Sequence, residues 1–231
     1  MIGASPSRRP SRPRSVVLLS GGMDSATCLA EAASVGPVFA LTVGYGQRHA
    51  RELDAARALA RHFRVGRHVV LEIPLAPIAR SALTDPRMPI PSRLKAGRIP
   101  ATYVPARNTV LLSVALAAAE SWGADRIYLG VNAVDYSGYP DCRPEFLRAF
   151  QRVANLATKA AVEKGRRVRI RAPLLRRSKV DIVRRGERLG VPWGLTWSCY
   201  RGGLRPCGRC DACRLRARGF RGAGVPDPLL A

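Results

Sequence analysis

The chain has 231 residues, 47% of them hydrophobic and 24% charged, which suits one globular domain with at most a small appendage and excludes a chain too polar to fold. Its 39 Lys and Arg against 16 Asp and Glu give a formal net charge of +23, nearly all of it arginine, with lysine only at Lys95, Lys159, Lys164 and Lys179. Such an excess suits a phosphate backbone, but the arginines are scattered and come with abundant Ala, Gly and Pro, so a GC-rich coding sequence accounts for them equally well; no apolar run is long enough to span a bilayer.

Residues 1–14, rich in Pro, Ser and Arg, are expected to form a disordered basic tail. They contain no apolar stretch of the secretory type, so a reducing cytosol is the expected compartment. Val16, Val17, Leu18 and Leu19 then predict a buried strand, Gly21 and Gly22 a turn, and Asp24 or Ser25 the cap of a helix over about 24–34. Such a turn leaves the first helical N–H groups open to an anion, for which the helix dipole adds about 0.3–1 kcal/mol. No Gly-Lys-Ser/Thr follows and no Gly-x-Gly-x-x-Gly occurs, so this is neither a Walker A loop nor a dinucleotide turn. The run Ser20-Gly21-Gly22-Met23-Asp24-Ser25 resembles instead the PP-loop of N-type ATP pyrophosphatases, which generally split ATP between its α and β phosphates.

Strands at 38–43 and 68–73 flank an amphipathic helix with Leu53, Ala56, Leu59, Ala60 and Phe63 on one side. The stretch 84–106, with prolines at 86, 89, 91, 100 and 105, breaks this rhythm and is expected to be a lid or binding loop. It leads to Arg107 and Asn108 at the start of a buried helix over 109–122, where an arginine beside the strand ends would clamp a phosphate or carboxylate. A fourth strand at 126–132, a helix from 144 to about 162 and a fifth strand at 168–172 complete an α/β pattern of right-handed crossovers, an open five-stranded parallel Rossmann-like sheet. In the order 3-2-1-4-5 the winding reverses between strands one and four, so the glycine corner and the loop after strand four face each other. That loop contains Asp135, Tyr136, Tyr139, Asp141, Cys142 and Arg143, which can hold a flat heterocycle by stacking and edge hydrogen bonds. Cys142 also suits a small buried apolar position. Ser178 is expected to cap a further helix, which puts Lys179 where the dipole disfavours a cation and points it to a phosphate.

Cys199, Cys207, Cys210 and Cys213 follow a Cys-x7-Cys-x2-Cys-x2-Cys spacing. Four thiolates close a tetrahedral Zn²⁺ shell with no open position, a structural site; an iron–sulfur cluster accepts the same set, and disulfides suit a cytosolic protein poorly. Cys28 and Cys142 fall outside the cluster.

The motifs Ser-Gly-Gly-Met-Asp-Ser-Ala-Thr-Cys-Leu, Tyr-Gly-Gln-Arg-His, Tyr-Val-Pro-Ala-Arg-Asn, Gly-Val-Asn-Ala-Val-Asp-Tyr-Ser-Gly-Tyr-Pro-Asp-Cys-Arg-Pro-Glu-Phe, Thr-Trp-Ser-Cys-Tyr and Cys-Gly-Arg-Cys-Asp-Ala-Cys together resemble the QueC family, the 7-cyano-7-deazaguanine synthases of the queuosine pathway. The basic tail, the charge and Arg177-Ser178-Lys179, where Thr-Lys is usual, depart from its pattern. The resemblance implies an adenine nucleotide alpha hydrolase-like fold over 15–196, with a zinc-binding segment at 197–231 packed on the same domain. It further implies an ATP-dependent C–N ligase that turns 7-carboxy-7-deazaguanine and ammonia into the nitrile through an adenylate and an amide. By analogy Leu19, Ser20, Gly21, Gly22, Met23, Asp24, Ser25, Ala26, Thr27, Cys28 and Leu29 hold ATP with Mg²⁺. Arg107, Asn108, Asp135, Tyr136, Tyr139, Asp141 and Arg143 are candidates for the deazaguanine acid, Asp24, Arg107 and Lys179 for catalysis, and the four clustered cysteines for zinc. A homodimer that needs neither membrane nor nucleic acid is expected. The rivals are a PP-loop ligase or thiolase acting directly on tRNA, which the charge would suit, and a zinc-stabilised nucleotide-binding protein without catalysis.

Overall fold

A computed structural model describes residues 12–48, 51–91, 98–133 and 138–230; most of the basic tail, and Asp135 and Tyr136, lie outside them. In chain order the elements are β1 (Ser15–Leu18), α1 (Met23–Val35), β2 (Val38–Gly44), α2 (Arg51–His62), β3 (Arg67–Glu72), α3 (Arg107–Trp122), β4 (Arg126–Tyr128), α4 (Pro144–Leu156), α5 (Lys159–Lys164), β5 (Arg169–Arg171), α6 (Lys179–Arg188) and α7 (Asp211–Ala223). The strands form one sheet in the order β3-β2-β1-β4-β5, and every pairing is parallel, as the sequence predicts.

β1 lies in the middle and is buried throughout. Successive side chains of a strand point to opposite faces, so its continuous apolar run serves two cores. Val16 and Leu18 join Leu112 and Leu116 of α3 and Leu147 and Phe150 of α4. Val17, with Leu19 just beyond the strand, joins Leu29 of α1, Ile182 of α6 and Phe220 of α7. Burying each such side chain contributes about 1.5–3 kcal/mol, and the sheet is held from both faces.

Two elements differ from expectation. The helix expected to run to about 162 stops at Leu156, because Thr158 leaves helical geometry and its side chain accepts from Ala161 N at 3.3 Å, capping α5 instead. The fourth strand ends at Tyr128 rather than 132: beyond it the chain passes over the start of α1, so close that a Cβ on Gly130 would stand 3.0 Å from Ser25 N. In the long connection before α3, Leu75, Ala79, Leu83 and Val104 form a small core with Tyr45.

The C-terminal segment folds back on the sheet. Arg216 of α7 is buried at 2% exposure, pairs with Asp227 through two nitrogens at 2.8 and 2.9 Å, and donates to Thr196 Oγ1 at 2.7 Å. That network fixes residues 193–197 beside the turn after β1.

Candidate active site

At the C-terminal ends of β1, β2 and β4 lies a cavity of about 250 Å³, in the crevice where the winding of the sheet reverses. One wall is the corner between β1 and α1. Gly21 turns there with φ +82°, and a Cβ on it would stand 2.3 Å from the Glu52 carbonyl oxygen, so only glycine lets α2 lie against the turn.

Gly22, not Asp24 or Ser25, is the N-cap of α1, and no side chain caps the helix. The expected caps fall inside the first turn and are engaged elsewhere. Ser25 Oγ donates to the Gly22 carbonyl at 3.0 Å and accepts from Ser20 N at 3.2 Å, closing the loop on itself. Asp24 Oδ2 accepts from Lys179 Nζ at 2.6 Å and from Asn132 Nδ2 at 3.2 Å. A helix start without a side-chain cap is thus set into the cavity wall, the arrangement that binds anions. The second Asp24 oxygen, Oδ1, is buried with no hydrogen-bond partner among the described residues. Lys179 is aimed by the start of α6, where Ser178 and Asp181 form a capping box.

The opposite wall is built on α3. Arg107, its first residue, follows Ala106 in the left-handed region at φ 53°, a conformation costing a non-glycine residue about 1–2 kcal/mol. The Arg107 guanidinium donates to Tyr45 Oη at 3.3 Å and lies 5.2 Å from the centre of that ring. Burial pushes the Tyr45 phenol up to about 12 although Arg107 pulls it down, and burial raises the Glu52 carboxyl to about 7 against the same arginine. Tyr139 stacks on Tyr103 at 5.9 Å and shares a 2.9 Å hydrogen bond with Thr102.

Leu19, Ser20, Gly22, Met23, Asp24, Ser25, Arg107, Asn108, Tyr139 and Lys179 line this one cavity, with Gly21 in the turn behind them. Ala26, Thr27, Cys28 and Leu29 do not: each is 0% exposed in the core beneath the first turn of α1, and burial pushes the Cys28 thiol up. Asp141 lies buried behind the wall, where its Oδ2 accepts from Asn108 N at 2.9 Å while Asn108 Nδ2 donates to Cys142 Sγ at 3.0 Å, fastening the loop after β4 to α3. Arg143 is exposed at the start of α4. The sequence reading passed over Thr42 and Glu52 and quoted Tyr45, Gln47, Trp197, Ser198 and Tyr200 only within family motifs, without a place in the site; all seven line the cavity. Tyr45 and Gln47 follow the C-terminal end of β2, beside β1, so the strand-end rule applied to β2 would have found them. Glu52 has the disguise of an ordinary acid in a first helical turn.

The four clustered cysteines bring their Sγ atoms within 4.8 Å of one another. Arg201 N and Cys207 N each donate to Cys199 Sγ at 3.4 Å, and Cys210 N donates to Cys207 Sγ at 3.4 Å, as suits sulfurs that are thiolates around a cation. Hydrogen bonds from Cys213 and Cys207 hold the Cys210 thiol below the usual range. The donor set fits a tetrahedral ion that prefers soft ligands. None of the six cysteines forms a disulfide. The cluster reaches the cavity through Trp197, whose backbone N–H donates to the Gly21 carbonyl at 2.9 Å and whose ring lies 5.6 Å from the Arg51 guanidinium. Among the described residues no helix is long and apolar enough to cross a membrane.

A parallel sheet in this order, a glycine corner opening on an uncapped helix and an arginine across the crevice define a PP-loop α/β protein of the nucleotide-binding type. The fold agrees with the structure of the NMN synthetase from Francisella tularensis, at TM-score 0.50 and 15% identity over 94% of this chain and 79% of that one. The family model for queuosine biosynthesis protein QueC matches residues 14–224, and the chain belongs to that family. Among its relatives are proteins named 7-cyano-7-deazaguanine synthase. That of Azoarcus sp. strain BH72 is 59% identical, covering 94% of this chain and 96% of the relative. That of Anaeromyxobacter sp. strain Fw109-5 is 57% identical, covering 96% and 97%, and that of Xanthomonas oryzae pv. oryzae strain PXO99A is 60% identical, covering 93% and 96%.

Proposed function

We propose that the protein converts 7-carboxy-7-deazaguanine and ammonia into 7-cyano-7-deazaguanine at the expense of ATP, as a cytoplasmic enzyme of queuosine biosynthesis. The relatives' names support the product, 7-cyano-7-deazaguanine; the chemistry supplies the co-substrates and the order of events. A carboxylate does not react with ammonia until one oxygen becomes a leaving group, which adenylation provides. Ammonia then gives the amide, and a second activation removes the remaining oxygen to leave the nitrile.

The uncapped start of α1 and the corner at Ser20, Gly21 and Gly22 receive the phosphates of ATP. Lys179 shares its charge between Asp24 and that chain. Asp24 Oδ1 is the oxygen offered to Mg²⁺, which, when bound, draws charge from the phosphates. Arg107 clamps the substrate carboxylate with its planar fork, and Tyr139 gives the deazaguanine ring a face to stack on. Asp141 acts through Asn108, and Cys199, Cys207, Cys210 and Cys213 would hold Zn²⁺ and so brace the segment whose Trp197 N–H reaches Gly21. The single observation that carries this reading is that the helix start and Arg107 open on one cavity, so an α-phosphate and a carboxylate can meet.

Purified protein incubated with the acid, ammonium and Mg·ATP, without RNA, should yield first the amide and then the nitrile by mass spectrometry. Turnover that requires tRNA would replace this reading with the nucleic-acid ligase that the net charge of +23 favours.

A further inference from the structure

Among the described residues two carboxylates line the cavity, Asp24 and Glu52, and their circumstances differ. Asp24 is paired with Lys179 at 2.6 Å and also held by Asn132, so both neighbours already engage its Oδ2. Glu52 makes no side-chain hydrogen bond or ion pair in the described structure. Its backbone is pressed against the turn at Gly21 so tightly that a Cβ there would stand 2.3 Å from its carbonyl oxygen, which places the root of its side chain beside the phosphate loop. The groups facing it are Arg107 from α3 and the Tyr45 phenol beyond β2. Burial raises its proton affinity so that it titrates at about 7.

The proposed reaction needs a group of this kind. At neutral pH ammonia is present mostly as ammonium, which has no lone pair with which to attack. We infer that Glu52 receives ammonium on the cavity wall and takes a proton from it, releasing ammonia beside the activated carboxylate; this rests on the function proposed above. The carboxylate of Glu52 becomes a carboxylic acid as ammonium becomes ammonia. The ammonia lone pair forms the C–N bond, and the C–O bond to the adenylate breaks with its electron pair, so AMP leaves as the anion. The second nitrogen proton passes to solvent, giving the neutral amide. A group titrating near neutrality suits this task, since it accepts a proton readily yet returns it before the next turnover.

Three measurements on the holoenzyme test this. Acid-dependent exchange of pyrophosphate into ATP reads adenylation alone, amide formation from ammonium reads the full step, and hydroxamate formation from hydroxylamine, which is neutral at pH 7, reads attack by a nucleophile that needs no prior deprotonation. Glu52→Gln should keep exchange and hydroxamate formation within about threefold of wild type and lose amide formation by about 100-fold or more. In the wild-type enzyme, amide formation per total ammonium should also rise through a pKa near 7 that is absent with hydroxylamine. Equal losses in all three reactions, or amide formation within threefold of wild type, would overturn the role of Glu52. If Glu52→Gln does not fold, the absence of the limb near pH 7 from the wild-type profile would do the same. Wild-type enzyme that makes no amide or nitrile at all would instead overturn the function proposed above.

Discussion

Replacing Gly21 with alanine would place a methyl carbon 2.3 Å from the Glu52 carbonyl oxygen, 2.8 Å from Ala56 N and 2.9 Å from Ala55 Cβ, at a residue whose φ is +82°. All three neighbours belong to α2, and two are backbone atoms that no rotamer change can move. The left-handed backbone costs alanine about 1–2 kcal/mol, and forcing a carbon into packed space adds about 1–3 kcal/mol. A loss of about 2–5 kcal/mol corresponds to a fall in Tm on the order of 10 °C for a chain of this size. Gly22 provides the control, since a Cβ there would meet nothing closer than 3.5 Å and its φ is −79°. Thermal melts should therefore separate the pair, with Gly21→Ala lower by about 10 °C and Gly22→Ala within about 3 °C of wild type. Pyrophosphate exchange should fall with Gly21→Ala even well below its Tm, because α2 can yield only by moving the phosphate loop. Equal melting shifts for the two variants would refute the claim that α2 and the loop are in contact.

Further consequences follow from the ion pair, the cysteine cluster and Glu52. Lys179→Met leaves Asp24 facing a cavity without its cation, at a pair whose side chains are only 13% and 21% exposed. It should reduce pyrophosphate exchange by about 100-fold or more, and a change under threefold would refute the pairing's role. Chelation of the metal should release residues 197–213, shift Trp197 fluorescence to the red and weaken ATP binding, since Trp197 N holds the Gly21 carbonyl; unchanged ATP affinity in a metal-free protein of altered fluorescence would argue against that brace. Folding raises Glu52 from 4.5 to about 7, so its ionised form is disfavoured in the native state. The resulting destabilisation is absent below about pH 4.5, grows as pH rises to about 7 and is constant above. Glu52→Gln should thus raise Tm relative to wild type at pH 8 but not at pH 4.5, and a difference independent of pH would contradict the burial argument.

The parallel α/β pattern was legible in buried apolar strands at regular spacing and a glycine corner after the first of them; the order 3-2-1-4-5 was one winding that sets that corner at the switch point, and it is the one observed. The helix ends were less legible. Thr158 could as well continue a helix as cap one, and what decides it is the bond its hydroxyl makes with Ala161 N. Asp24 and Ser25 carry the usual signature of a cap, yet Lys179, 155 residues along the chain, claims the first. The same limit hid Glu52, whose distinction lies in its half-buried place on the cavity wall near Arg107 and not in its spacing. Ala26, Thr27, Cys28 and Leu29 were drawn into the expected ATP loop by the motif that contains them, but one helical turn is enough to rotate them into the core.

The central claim is that a nucleotide on the α1 wall and a carboxylate on the Arg107 wall meet in one cavity. It is tested most directly by feeding the enzyme 7-carboxy-7-deazaguanine whose carboxylate bears heavy oxygen and analysing the nucleotide products by mass spectrometry. Transfer of one labelled oxygen to the AMP phosphate in each of the two activations is expected. Nitrile accompanied only by unlabelled AMP would contradict it.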